Sequence, residues 1–174
     1  MYMESENLIE ISIADQALRY STPEACFLFP VSTAVNGFGE QEGSGKTPRG
    51  WHRVAACIGA GEPEGAVFIG RRPTGEVYSD DLAEQHPQRD WILTRILWLQ
   101  GLEIGRNRLG EVDTMRRYVY IHGTPDTEPM GVPLSHGCIR MRNSDIKALF
   151  DKVPFNTQVW IQEHSFSRIP CRQL

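Results

Sequence analysis

Two short stretches of the 174-residue chain hold residues able to do chemistry together: Ile121-His122-Gly123-Thr124 and Ser135-His136-Gly137-Cys138-Ile139-Arg140. A thiol becomes a good nucleophile near neutral pH when a base or a positive charge assists it, and histidine is the usual base. Two histidines are near enough in sequence to serve. His136 precedes Cys138 by two residues, so both ride on one flexible loop. His122 ends a run with strand character, Tyr118 to His122, and a rigid element holds a base more accurately than a loop does. Gly123 leaves its carbonyl open to the His122 Nδ1–H, which would fix the tautomer and turn Nε2 toward the thiol. Gly137 permits a sharp turn before the nucleophile, so that its own amide and that of Cys138 could face a developing oxyanion.

These residues must be positioned by strands. Ile9, Ile11 and Ile13 alternate with polar neighbours, and Ala17 to Tyr20, Trp51 to Cys57, Val67 to Gly70, Ile92 to Leu99 and Thr157 to Ile161 read as further strands. In the run Tyr118 to His122, Val119 and Ile121 share one face, and Tyr120 and His122 the other. Asn36 to Gly50 is a glycine-rich ordered loop, and Arg71 to Arg89 is a polar surface insertion that could fold over a cleft. One helix is predicted after the Cys138 loop. Asn143 or Ser144 would cap it, Ile146, Leu149, Phe150 and Val153 would form its apolar stripe, and Pro154 would stop it. The expected fold is mainly β (β-rich α+β), a single domain over residues 1–174.

Composition narrows the partners. A net charge of −4 offers no basic footprint for nucleic acid or an anionic membrane. No run of about 18 apolar residues suggests membrane insertion. The start, MYMESENLIEISIADQ, lacks the basic and apolar regions of a secretory signal, so the expected location is cytoplasmic, or periplasmic if a signal peptide was removed. Cys26, Cys57, Cys138 and Cys171 form no CxxC pair, and apart from Cys138 they read as buried small hydrophobes. The sequence calls for no cofactor and leaves the oligomeric state open.

The paired stretches, with Cys138 following His122 at a separation of 16 residues, resemble the signature of the L,D-transpeptidase catalytic domain, and Lys46-Thr47-Pro48-Arg49-Gly50 is similar too. That resemblance implies a β-sandwich and a cysteine enzyme acting on peptidoglycan stem peptides or muropeptides. The thiol would attack the diaminopimelate carbonyl of a tetrapeptide and release D-Ala. Water as acceptor gives an L,D-carboxypeptidase of muropeptide recycling; a second stem gives a 3–3 cross-link, and a D-amino acid gives exchange. On this chain it implies Cys138 as nucleophile, His122 as base, the Gly123 carbonyl as its orienting partner, and the Gly137 and Cys138 amides as oxyanion donors. Ser135, His136 and Arg140 take supporting positions, Arg140 for a substrate carboxylate or for bracing the loop, and Tyr120 could line the cleft. Two rival readings are a zinc peptidase with His122, His136 and Cys138 as ligands, and a peptidoglycan-binding module without activity.

Overall fold

Alternation of apolar and polar side chains, carried by β-branched and aromatic residues, builds most of the molecule. The structure is a computed structural model and describes residues 7–167. Among the described residues ten strands form one hydrogen-bonded network: β1 Leu8–Ser12, β2 Ala17–Ser21, β3 Cys26–Pro30, β4 Gly50–Ile58, β5 Ala66–Ile69, β6 Arg72–Val77, β7 Ile92–Gly101, β8 Tyr120–Thr124, β9 Ile139–Arg142 and β10 Gln158–Gln162. Helices α1 Asp80–Gln85 and α2 Asn143–Phe150 complete it. The fold is the β-rich one expected, with a helix after the Cys138 loop.

The main path runs β3-β2-β1-β10-β4-β7-β5-β6. β7 is the branch point. Ile96 pairs with Ile58 of β4 along one edge and with His122 of β8 along the other, so β7 joins the main path to the β8–β9 pair. The core lies between the two arms: Ile9, Ile11, Val159 and Ile161 meet Ile121, Ile139, Ile146 and Leu149, all fully buried. A smaller apolar cluster of Ala66, Phe68, Ile96 and Tyr120, with Cys138 packed against it, floors the other side of β8. β8 is thus covered on both faces, which makes it a firm support for the His122 side chain.

Five details differ from expectation. The 71–89 stretch contains β6 and α1, with Ser79 Oγ accepting from the Leu82 amide at 3.1 Å to cap the helix. Tyr118 lies before β8 rather than in it, because its φ of +55° is left-handed. Ile139–Arg142 forms the additional strand β9. Arg142 occupies the N-cap position of α2, with no side-chain cap, and Asn143 is the first helical residue. Cys57 is exposed rather than buried, and Cys171 lies outside the described residues.

Candidate active site

The Cys138 loop is gripped from both sides. β8 and β9 run parallel, pairing Ile121 with Ile139 and His122 with Arg140, so Tyr120 and His122 share a face with Cys138 and Arg140. On the far edge, Ser32 and Arg140 exchange two backbone hydrogen bonds at 3.0 and 2.9 Å, while the Ser135 amide donates to the Thr33 carbonyl at 2.9 Å. The 46–50 loop adds a third hold: Thr47 is buried, and its hydroxyl accepts from the Ala34 amide and donates to the Gly137 carbonyl, each at 3.0 Å.

Within the loop, Ser135 Oγ donates to the Cys138 carbonyl at 2.6 Å and accepts from the Gly137 amide at 3.2 Å. The Gly137 amide, expected to face an oxyanion, is therefore engaged inside its own turn. Ser135 takes it because the hydroxyl that ties down the Cys138 carbonyl has a lone pair free for the neighbouring amide. Glycine is needed at 137 for conformation: its φ is +133°, and the Lys46 carbonyl stands 3.4 Å from where a Cβ would lie.

The sulfur of Cys138 accepts from the Tyr120 amide at 3.3 Å and lies 3.4 Å from the Tyr118 carbonyl. His122 is buried, and its Nδ1 lies 2.6 Å from the Gly123 carbonyl. A carbonyl only accepts, so Nδ1 carries the proton and Nε2 of the neutral ring keeps its lone pair. Gly123 admits no other residue without rearrangement, since a Cβ there would stand 2.5 Å from the Leu93 carbonyl and 2.6 Å from Asn143 Oδ1. His122 and Cys138 line one cleft of about 380 Å³.

Burial decides the resting charge of the pair. It pushes the Cys138 thiol up to about 11, against the opposing pull of the Tyr120 amide and of Arg140 and Arg117. It also lowers the His122 imidazole, with the Gly123 carbonyl pulling the other way. Both shifts disfavour charge: thiolate appears only at higher pH than usual, and imidazolium only at lower pH. At neutral pH the cleft therefore holds a thiol and a neutral imidazole, so that any attack by this sulfur would need proton transfer to accompany it rather than precede it. Alkylation of Cys138 by iodoacetamide, followed by peptide mass mapping, should still be accelerating between about pH 8 and about pH 10. A rate already flat by about pH 7 would instead demonstrate a preformed thiolate–imidazolium pair.

The other expected residues separate. Arg140 is mostly buried and pairs with Asp90 at 3.3 Å and Glu128 at 4.0 Å, which makes it a brace between the Cys138 loop and the segments that carry those carboxylates. The His136 side chain is 75% exposed and stands 4.0 Å from Asp90. Tyr120 is buried at the cleft wall, its hydroxyl accepting from Arg71 Nη1 at 3.1 Å. Among the described residues no three His, Cys, Asp or Glu side chains group to hold a metal, so the zinc reading lacks its ligand set.

A family model described as the L,D-transpeptidase catalytic domain, YkuD, matches residues 6–161. The chain belongs to that family. Probable L,D-transpeptidase YbiS of Escherichia coli K12 is 54% identical over 43 residues, 25% of this chain and 14% of that protein. Probable L,D-transpeptidase ErfK/SrfK of Salmonella typhimurium LT2 is 53% identical over 45 residues, 26% of this chain and 15% of that protein. The matched stretch is thus a small part of either relative. L,D-transpeptidase 3 from Mycobacterium tuberculosis superposes with a TM-score of 0.56 over 90% of this chain and 61% of that one, at 17% identity, a likeness of fold.

Three residues of this L,D-transpeptidase domain that shape the site carried no signal of their own in the sequence. Asn143 donates from Nδ2 to the Thr124 carbonyl at 3.0 Å and accepts from the Thr94 hydroxyl, so it stands directly behind Gly123. Arg117 reaches the cleft from before β8 and donates to the Glu40 and Lys46 carbonyls at 3.0 and 2.6 Å. Arg71, at the β5–β6 turn, stands over the cleft. Only the Thr47 loop could have been found in advance, through the family resemblance.

Proposed function

We propose that this domain cleaves peptidoglycan tetrapeptide stems by acyl transfer to Cys138, and that water resolves the acyl-enzyme, making it an L,D-carboxypeptidase of free muropeptides. The observation that carries the reading is the shared cleft, in which an imidazole with a protonated Nδ1 and an open Nε2 faces the same space as the thiol. As Sγ bonds to the diaminopimelate carbonyl carbon, His122 Nε2 takes the thiol proton, and the Cys138 amide is the donor we assign to the oxyanion. The carbon–nitrogen bond to D-Ala then breaks, and His122 returns the proton to the leaving amine. Water enters next. His122 removes its proton as its oxygen bonds to the acyl carbon, and the thiol departs reprotonated.

Support for water comes from a second cavity of about 250 Å³ that meets the cleft at Asp90, His136 and Arg140 and is otherwise lined largely by polar and charged groups, including Gln88, Arg89 and Glu128. Such a lining keeps solvent beside the acyl-enzyme. The same carboxylates, Asp90 and Glu128, favour a second reading in which an amine of another stem is drawn in as its ammonium form, loses a proton to solvent and attacks as the neutral amine. Mass analysis of products from a disaccharide-tetrapeptide separates the two. Tripeptide and free D-Ala should dominate; a predominance of 3–3 dimer at millimolar stem would overturn the water reading in favour of transpeptidation.

A further inference from the structure

Three arginines line the cleft that holds Cys138, and two of them are committed to the protein itself. Arg140 is paired with Asp90 and Glu128. Arg117 is turned into the 39–46 loop, where backbone carbonyls take its hydrogen bonds. Arg71 is different. It stands in the turn between β5 and β6 with φ +65°, and its guanidinium lies 4.5 Å from the Trp98 ring centre and 4.9 Å from that of Tyr118. Its Nη1 donates to the Tyr120 hydroxyl at 3.1 Å. Among the described residues no carboxylate pairs with it, and its Nε and Nη2 have no hydrogen-bond partner.

That arrangement is a positioned cation with an unused edge. Aromatic faces hold the guanidinium plane without consuming its donors, and a guanidinium edge matches a carboxylate in a two-point hydrogen bond. We infer that Arg71 is the specificity-determining residue of the cleft and takes a free carboxylate of the acyl donor. The inference rests on the proposed function. A tetrapeptide stem carries candidate carboxylates on its departing D-Ala and on the diaminopimelate side chain, and the chemistry at Arg71 is the same for either.

The test compares three donors: the free-acid tetrapeptide, its C-terminal amide, and its diaminopimelate side-chain amide. Each is measured for kcat and KM with the wild-type chain, Arg71→Ala and Arg71→Lys. The wild type should prefer the free acid over one of the two amides by about 10- to 100-fold in kcat/KM, mostly through KM, and the amide that suffers identifies the carboxylate. Arg71→Ala should cut that preference to within about threefold, while Arg71→Lys, a point charge without the fork, should keep part of it. An Arg71→Ala variant that loses activity equally on all three donors, with its preference intact, would overturn the inference and leave Arg71 as a latch on the β5–β6 turn. A wild type indifferent to both amidations would also overturn it. A wild type that turns over none of the donors overturns the proposed function together with the inference, and so is distinguished from either of those results.

Discussion

Cys138→Ser should reduce D-Ala release by at least about 10³-fold while leaving the fold in place. A serine hydroxyl gives up its proton far less readily than a thiol, and burial has already made His122 a weaker base than a free imidazole. The fold should persist because the smaller hydroxyl can make the same two contacts, accepting from the Tyr120 amide and donating to the Tyr118 carbonyl. Urea denaturation should therefore shift by no more than about 1.5 kcal/mol, the net worth of an ordinary hydrogen bond. Retention of more than a few per cent of turnover would remove Cys138 from the nucleophile's role.

The second large effect should come from His122→Ala, at about 10²- to 10⁴-fold in kcat/KM, the usual contribution of a positioned general base. His136→Ala should lose less than about tenfold, since among the described residues its exposed ring is paired with Asp90 alone, at 4.0 Å, and a loosely held group contributes little to a proton transfer. A reversal of that ranking would assign the base to His136. The resting charge state adds a finer expectation. With both partners neutral, removal of His122 should leave the pH dependence of Cys138 alkylation nearly where it was, whereas a preformed ion pair would see it move up sharply.

Burial explains what could be read from the sequence. β1, β2, β7 and β10 each bury two or more apolar side chains, and β4 alternates buried and less buried positions up to Val54, so all five leave a strand pattern. In β6 five of six residues are exposed, and α1 buries none, so neither carries a hydrophobic period. Their signal is local chemistry: Ser79 followed by Asp80 and Asp81 is a helix start that needs no core. β9 does alternate, Ile139 and Met141 inward, but four residues are too few to stand out beside a loop. Asn143 looked like a cap because asparagine before an apolar stripe usually is one. Its actual place behind Gly123 depends on the turn from β9 into α2 and on the irregularity in β7 between Leu93 and Ile96, neither of which has a local signature. Arg71 was hidden for a related reason, since the ring stack that aims it is assembled from β7 and the approach to β8, far away in sequence.

The strand order also governs when the cleft is assembled. β10 lies between β1 and β4, so Leu8 meets Gln158, and Trp51 meets Trp160, only after almost the whole chain is available. Pairings so distant in sequence make folding slow relative to local structure and favour assembly as one late event. On a ribosome, the segment bearing His122 and Cys138 emerges before the strand that completes the sheet beneath it. A nascent chain would then hold its cysteine as an ordinary thiol apart from His122, and the two side chains would come to line one cleft only in the finished fold.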